Sequence, residues 1–415
     1  MPFSKKDSII CKTMKAALLT TAVSLCLAVF SGCALSDGSS AFPSANTSTE
    51  GSSIFFDADN ISELASPSPP TVSATAYALV DAVSGAILES KNADERMRMA
   101  STTKIMTALV ALESADVSRV VSIPHEAVGV EGSSVYLFEG EELTLEELIY
   151  AMLLESANDA AAAIAIAIGG SIEGFAELMN AKAEEMGLEN THFTNPHGLD
   201  DDGHYTTARE LALIAAEAMR NETFCKIVST QKKTIPQNGN EGVRLLINHN
   251  RLLKSYDGTI GIKTGYTKKS GRCLVSAAER DGVRLICVTL SAPDDWRDHT
   301  ALLDHGFSSY ESRLLYKRGE SDVTLPVVGG EGEYVTLSAE KDIRVTLPKG
   351  TGEIAATVYL PRFLYAPVQK GEKVGRIVYS IGGKVIAEAE LYAKYSVSQK
   401  EEENNFWKKI TSLFK

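Results

Sequence analysis

The residues best suited to covalent chemistry are Ser101 and Lys104, which open an apolar segment predicted to be helical from 100 to 112. Residues three apart on a helix share a face, so the lysine amine can approach the serine hydroxyl. A serine hydroxyl needs an adjacent base, and lysine serves when burial and a neighbouring positive charge lower its pKa. The pair therefore predicts a serine nucleophile activated by lysine. The alternatives are a helix cap at Ser101 and a surface position for Lys104.

A second polar motif, Ser156-Ala-Asn158, follows the apolar residues of another predicted helix. A buried turn that carries a hydroxyl and an amide suits proton relay and the binding of a substrate amide. The purely structural alternative is a cap for the helix that begins near Asp159.

A third motif, Lys263-Thr-Gly265, ends a predicted strand. Lys263 and Thr264 could bind a carboxylate through a charge and a hydroxyl group. Lys263 could also supply the positive charge that keeps Lys104 neutral. Gly265 would let a substrate backbone lie against the strand.

Helical and strand patterns follow one another in the segment that carries these motifs. The predicted helices are 100–112, 144–155, 160–168, 171–186, 207–219 and 296–305. The predicted strands are 76–80, 86–89, 243–247, 258–263, 271–278 and 283–291. Helices followed by strands predict an α+β domain with helices packed on an antiparallel sheet. Residues 318–395 show only short alternating strands and predict a separate all-β domain.

The overall charge argues against one class of partner. The 415 residues carry a formal net charge of -13, which would repel phosphate backbones, so we expect no nucleic acid. His192, His197, Asp200 and His204 could suggest a metal-dependent peptidase. The sequence contains no His-Glu-x-x-His motif, so no metal or other cofactor is expected.

The extended motifs resemble those of the low-molecular-mass penicillin-binding proteins, the D-alanyl-D-alanine carboxypeptidase family. The resemblance covers residues 71–310, and the β-rich segment after it resembles the family's C-terminal β-sandwich. It implies a β-lactamase/transpeptidase-like domain followed by that sandwich. The matching stretches are Ala100-Ser-Thr-Thr-Lys-Ile-Met-Thr-Ala108, Leu154-Glu-Ser-Ala-Asn-Asp-Ala160, Asn195-Pro-His-Gly-Leu199, Asp257-Gly258 and Gly261-Ile-Lys-Thr-Gly265.

The resemblance implies a reaction as well as a fold. Ser101 would attack the penultimate D-Ala carbonyl of a peptidoglycan stem peptide, Lys104 would accept its proton, and Ser156 would relay a proton to the leaving D-Ala. β-Lactam antibiotics would acylate the same serine, and penicillins would therefore inhibit the enzyme.

Five further residues would bind the substrate by the same resemblance. Asn158 would orient it, and Lys263 with Thr264 would bind the terminal carboxylate beside Gly265. The backbone amides of Ser101 and Tyr266 would form the oxyanion hole. Tyr266 is a departure, since several relatives carry histidine there, and it leaves the substrate preference open.

Two rival functions share this resemblance. A serine β-lactamase would need a glutamate that activates water, and the stretch 191–198 contains none, while Glu189 just before it is a poor substitute. A non-catalytic cell-wall-binding lipoprotein would be expected to lack a motif residue, and none is lacking.

The N-terminal segment has the form of an export signal. Lysines precede an apolar run at 16–30, so residues 1–32 are predicted to be a signal peptide. Ser-Gly-Cys33 resembles a lipoprotein cleavage site, with Cys33 as the lipidated residue; a plainly secreted chain is the alternative. Residues 33–70 are rich in Ser, Thr, Gly, Ala and Pro and predict a disordered linker.

The C-terminal stretch 404–415 places apolar residues on one helical face and lysines near the other, as in a helix that lies on a membrane. A helix that docks on the body is the alternative. These features predict an exported enzyme at the outer face of the bacterial membrane or in the cell wall. Cys273 and Cys287 lie on consecutive predicted strands, and the sequence leaves open whether they pair.

Overall fold

The computed structural model describes residues 54–64, 68–237 and 242–401. The predicted signal peptide, Cys33 and the predicted helix 404–415 lie outside the described residues. Within the described residues no single helix has the length and composition of a membrane span, although the bent pair Asn158–Gly169 and Ile172–Glu185 meets that test jointly.

The described secondary structure contains nine α-helices and eighteen strands. The helices are α1 (Ala58–Ser62), α2 (Lys104–Ser114), α3 (Leu145–Leu154), α4 (Asn158–Gly169), α5 (Ile172–Glu185), α6 (Ala208–Ala218), α7 (Glu222–Ser229), α8 (Leu252–Ser255) and α9 (Asp295–Ser309). The strands are β1 (Ile54–Phe56), β2 (Ala76–Asp81), β3 (Ile87–Lys91), β4 (Val120–Ser122), β5 (Glu142–Thr144), β6 (Lys232–Gln237), β7 (Gly242–Ile247), β8 (Thr259–Thr267), β9 (Gly271–Arg280), β10 (Val283–Leu290), β11 (Tyr310–Tyr316), β12 (Val323–Val328), β13 (Tyr334–Ser338), β14 (Ile343–Pro348), β15 (Ala355–Tyr359), β16 (Leu364–Tyr365), β17 (Lys373–Ile381) and β18 (Lys384–Ala393).

The first domain is built on a five-stranded antiparallel sheet in the order β3-β2-β10-β9-β8. Alternate residues of β9 point to opposite faces, so Val275 joins the core shared with α2 to α6, and Leu274 joins the core under α9. Helices therefore cover both faces of the sheet. The predicted α+β architecture is confirmed.

Local sequence signals start and stop the helices that flank the site. Thr144 and Glu147 form a capping box at the start of α3. The alanine-rich α4 ends at Gly170, whose φ of 76° is the left-handed conformation that glycine adopts easily. The predicted helix 100–112 differs from the structure in one respect, because a 3-10 turn at Ala100–Thr103 precedes the α-helix proper.

The second domain is all-β, as predicted. Its seven-stranded sheet runs β15-β17-β18-β13-β12-β16, with β1 paired to β18, and β11 pairs with β14 beside it. The two domains meet at a buried hydrogen bond, 2.6 Å long, from the Thr346 hydroxyl to a carboxylate oxygen of Asp81.

The prediction of a disordered linker over 33–70 is wrong for residues 54–64. Ile54 pairs with Ala389 in the second domain, and Ile61 at the end of α1 is buried in that domain's core. The Ser62 hydroxyl accepts a 2.9 Å hydrogen bond from the Ile87 backbone N–H of the first domain. The few apolar residues of this segment give no clear strand or helix pattern because the surrounding sequence is so rich in small polar residues.

The open question about the cysteines is settled by the sheet. Cys273 and Cys287 are both free, and they face opposite sides of the sheet, one in each core. Burial raises the pKa of the Cys273 thiol to about 11.

Candidate active site

The predicted nucleophile lies in the 3-10 turn at the start of α2. Ala100, just before Ser101, has a φ of 49°, which is the left-handed region that costs a residue with a Cβ about 1–2 kcal/mol. Lys104 is fully buried, and its Nζ lies 3.0 Å from Ser101 Oγ. The turn therefore presents the hydroxyl next to an amine that water does not reach.

Two further oxygens surround the Lys104 amine. Its Nζ donates to Asn158 Oδ1 at 2.7 Å and to the His197 carbonyl at 2.6 Å. Because both of these oxygens can only accept, a neutral amine directs its two N–H groups at them, and its lone pair is left facing Ser101. The arrangement orients Lys104 as a base.

The electrostatics of the pocket favour that neutral form. Burial, together with the positive charge of Lys263, lowers the pKa of Lys104 well below its usual range, although the Asp159 carboxylate works in the opposite direction. Burial also lowers the pKa of Lys263, to about 7. Lys263 is thus close to the point at which it changes charge near neutral pH.

The second motif spans the turn from α3 into the first residue of α4 and is held by the loop before β5. Asn158 donates from Nδ2 to the Glu131 carbonyl at 2.5 Å and from its backbone N–H to the Ser133 carbonyl at 2.7 Å. Asp159 fixes this loop, since its carboxylate accepts from the Ser134 hydroxyl and the Leu137 N–H. Neither Ser156 nor Asn158 acts as the helix cap that was the structural alternative, because α4 has Ala157 at its N-cap and no side-chain cap bond.

Ser156 is buried and has a φ of 62°, again in the left-handed region. Its hydroxyl makes no hydrogen bond to any residue that the structure describes. A strained residue with an uncommitted hydroxyl beside Asn158 is compatible with a relay that acts only when substrate is present.

The third motif is brought to the first by the edge strand β8. A Cβ added to Gly265 would lie 3.1 Å from the backbone N of Ser101, of Thr102 and from the Met99 carbonyl. The absence of a side chain at 265 lets the strand pass directly against the nucleophile turn. Tyr266, the next residue, keeps 65% of its surface exposed.

Lys263 and Thr264 are both on β8, with Lys263 almost fully buried. The Lys263 Nζ donates to the Thr264 carbonyl at 2.9 Å, and no described carboxylate forms an ion pair with it. A cation without an anionic partner at the edge of the site is suited to an anionic group of a ligand.

Two backbone features of the site could not be predicted from the sequence. The loop 195–199 supplies the His197 carbonyl to Lys104, and Gly198 in that loop approaches the Ala100 carbonyl so closely that a Cβ would sit 1.9 Å from it. The motif Asn195-Pro-His-Gly-Leu199 was recognised, but its side chains gave no sign that a main-chain oxygen is the functional group. Asp159 was also missed as the residue that fixes the loop 131–137.

The residues that a β-lactamase or a metal-dependent peptidase would use make other contacts in the structure. Glu189 is exposed, and its carbonyl accepts from Arg96. His192 contacts the Gly203 carbonyl through Nδ1, whereas His204 bonds to Thr103. Among the described residues no group of three or more His, Cys, Asp or Glu side chains could hold a metal ion.

Comparison with known proteins gives the class of protein to which this site belongs. The family model described as "D-alanyl-D-alanine carboxypeptidase" matches residues 63–294, and the model described as "Penicillin-binding protein 5, C-terminal domain" matches residues 310–399. The chain belongs to this carboxypeptidase family of penicillin-binding proteins and is a peptidase of the hydrolase class.

Individual relatives agree over most of the chain. This chain is 35% identical over 326 residues to the D-alanyl-D-alanine carboxypeptidase DacF of Bacillus subtilis. The aligned stretch covers 76% of this chain and 84% of the relative. This chain is also 33% identical over 368 residues to DacA of Escherichia coli strain K12, covering 84% and 89%. Among solved structures, penicillin binding protein 5 from Haemophilus influenzae is similar with a TM-score of 0.66 and 33% identity, covering 80% of this chain and 100% of that one.

Proposed function

We propose that the protein removes the terminal D-Ala from peptidoglycan stem peptides through an acyl-enzyme at Ser101. The observation that carries the proposal is the buried Lys104 amine, whose two hydrogen-bond donors are committed to Asn158 and His197 and whose lone pair faces the serine. Such a pairing activates a hydroxyl without a histidine.

The acylation step follows from these contacts. Ser101 Oγ forms a bond to the carbonyl carbon of the penultimate D-Ala while its proton passes to Lys104. The backbone N–H groups of Ser101 and Tyr266 stabilise the oxyanion of the tetrahedral intermediate. The carbon–nitrogen bond then breaks, and the leaving D-Ala amine takes a proton through the Ser156 hydroxyl.

Hydrolysis completes the cycle. Lys104 is neutral again once its proton has gone to the leaving group, so it can accept a proton from water as that water attacks the ester. The bond to Ser101 Oγ breaks, the proton returns to the serine, and the shortened peptide leaves with a new terminal carboxylate.

Substrate recognition is assigned to the residues of β8 and to Asn158. The Lys263 ammonium and the Thr264 hydroxyl bind the terminal D-Ala carboxylate, and Gly265 leaves room for the peptide beside the strand. Asn158 orients the substrate, and β-lactams bind the same residues because they too combine a carboxylate with a reactive carbonyl.

The test is release of free D-Ala from a peptide that ends in D-Ala-D-Ala. We expect release by the wild-type protein, no release by Ser101→Ala, and no release of L-Ala from the same peptide ending in D-Ala-L-Ala. Hydrolysis of penicillin at a high rate with no release of D-Ala would replace this proposal with a β-lactamase.

Export and membrane attachment are further parts of the proposal, resting on sequence alone. We assign residues 1–32 to a signal peptide, Cys33 to lipidation, 71–310 to the catalytic domain, 318–395 to the β-sandwich and 404–415 to a helix on the outer face of the cytoplasmic membrane. Fractionation of cells that express wild type, Cys33→Ala or a chain ending at 401 tests this. A variant that combines Cys33→Ala with the truncation should lose membrane association, and association equal to that of the wild type would overturn both attachment sites.

A further inference from the structure

We propose that His204 is a positioning residue for the acylation reaction, acting through Thr103 to aim the Ser101 backbone N–H at the substrate carbonyl. The inference rests on the proposed function, since it concerns the oxyanion donor of that reaction. It assigns a role to a buried histidine that the mechanism above does not use.

The hydrogen bonds around His204 form a chain with a defined direction. The Thr194 backbone N–H donates to His204 Nδ1 at 3.1 Å, so Nδ1 is an acceptor and the ring proton must be on Nε2. Nε2 lies 2.7 Å from Thr103 Oγ1 and therefore donates to it. The Thr103 hydroxyl in turn donates to the Ala100 carbonyl at 2.8 Å.

The last acceptor in this series of hydrogen bonds, the Ala100 carbonyl, is one half of a peptide unit. The Ala100 carbonyl and the Ser101 N–H belong to the same planar trans peptide unit, in which they point in opposite directions. A hydrogen bond that holds the carbonyl towards the protein interior therefore fixes the direction of the N–H on the other side. That N–H is the one that Gly265 leaves uncovered along β8.

The peptide plane needs such support because of its conformation. Ala100 has a φ of 49°, and a non-glycine residue in this region persists only where its surroundings hold it. Gly198 packs against the same carbonyl and closes one side. The Thr103 hydroxyl is the polar contact, and His204 orients that hydroxyl by occupying its acceptor side.

The environment of His204 keeps its imidazole ring neutral, as this series of hydrogen bonds requires. The side chain is almost fully buried, with the Phe193 ring against it at 5.7 Å between centroids. Burial, with a smaller contribution from His192, lowers the pKa of His204 to about 4 against the opposing effect of Asp201. A second ring proton would be placed on Nδ1, opposite the Thr194 N–H, and would break the chain at its first link.

The test compares substitutions that keep or remove the donor at the Nε2 position. His204→Phe keeps the ring shape without the donor, and we expect the rate of acylation by penicillin to fall by about 30-fold, less than the 10²–10³ for loss of an entire oxyanion donor. His204→Gln can place an amide N–H near the same point and should retain acylation within about threefold of wild type. For D-Ala release, kcat should fall in His204→Phe while KM stays within about threefold.

A second pair of variants covers the case in which His204→Phe does not fold. Thr103→Val is nearly isosteric but lacks the hydroxyl and should slow acylation like His204→Phe, while Thr103→Ser should not. The double variant should be no slower than the slower single variant, because both break the same chain.

The outcomes separate this inference from the proposed function. If the wild-type protein neither forms an adduct nor releases D-Ala, the proposed function fails. If the wild type acylates normally and the folded Thr103→Val or His204→Phe acylates at the wild-type rate, the positioning role is overturned. Slower acylation that His204→Gln does not restore, with a matching loss of melting temperature, would also overturn it and indicate a packing role only.

Discussion

The two domains differ in how deeply they bury charged residues and in whether their backbone adopts strained conformations. In the first domain Lys104, Lys263 and Asp159 are buried, and Ala100 and Ser156 adopt left-handed conformations. In the described part of the second domain, from 310 to 401, the most buried carboxylate, Asp322, is paired with Lys394, and no non-glycine residue has a positive φ.

The charges of the second domain are instead paired near the surface. Lys373 pairs with Glu390, and Arg376 pairs with Glu388 and lies over the Tyr359 ring. Exposed pairs of this kind add little stability, and replacing them is tolerated. The contrast indicates that the costly arrangements of the first domain are kept for chemistry, whereas the second domain follows the ordinary rules of a β-sheet scaffold.

The contrast is sharpest for lysine. Replacing the buried Lys104 with Met should slow acylation by penicillin by about 1,000-fold, because the general base is lost. The control is Lys384→Met in the second domain, which removes only an exposed pair with Glu63 and should leave the rate unchanged. Acylation rates from quenched time courses decide it; a Lys104→Met rate within tenfold of wild type would show that another group is the base.

Backbone geometry can be tested with two glycines of similar conformation. Gly198 and Gly140 have φ values of 85° and 77°, but an added Cβ meets the Ala100 carbonyl at 198 and nothing within 4 Å at 140. Gly198→Ala should therefore reduce acylation by about 100-fold through displacement of the Ser101 oxyanion donor.

Gly140→Ala carries the same φ strain without the clash. It should cost about 1 kcal/mol of stability and leave acylation unchanged. Thermal melts and acylation rates of both variants give the comparison, and equal acylation rates would contradict a close packing of 198 on the nucleophile turn.

The pH dependence of kcat/KM should reveal the protonation of both buried lysines, Lys104 and Lys263. Below the lowered pKa of Lys104 its amine is protonated and cannot accept the Ser101 proton, so kcat/KM rises with pH on the acid side. Above about 7, the pKa of Lys263, the charge that binds the substrate carboxylate is lost, and kcat/KM falls.

A substrate whose terminal carboxylate is converted to an amide serves as the control for that profile. It should be cleaved poorly at every pH, and its kcat/KM should lack the fall above about 7, since Lys263 has no anion to bind. A kcat/KM for the carboxylate substrate that continues to rise up to pH 9 would contradict the role of Lys263.

The smallest effect on activity is expected at the contact between the domains. Thr346→Val removes the hydroxyl that donates to the buried Asp81 carboxylate, which should cost about 1–3 kcal/mol of stability. Penicillin acylation by the folded protein should not change. A slower rate at temperatures far below the melting transition would show that the second domain influences the site.

Much of the site could be predicted because its side chains carry distinctive chemistry. Ser101, Lys104, Asn158 and Lys263 are side-chain groups in short motifs, and the structure brings them together around one turn. The apolar periodicity also predicted most of the larger helices and the strands of the central sheet, but not α7 or β6.

The remaining features depend on the backbone or on contacts distant in sequence. The role of the His197 backbone carbonyl cannot be recognised from the His197 side chain. The strained backbone at Ala100 packs against Gly198, which lies almost a hundred residues later in the sequence. The pairing of β1 with β18 joins residues near opposite ends of the chain, within a segment whose composition resembles a linker. Such features follow from the tertiary structure and leave little trace in local sequence.

The most direct measurement is intact mass over time for the described part of the chain, residues 54–401, mixed with a penicillin, beside the Ser101→Ala variant. We expect a lasting adduct of one penicillin per wild-type molecule and none on Ser101→Ala. An adduct that persists on Ser101→Ala, or a wild-type protein that forms none, would contradict the acyl-enzyme at Ser101.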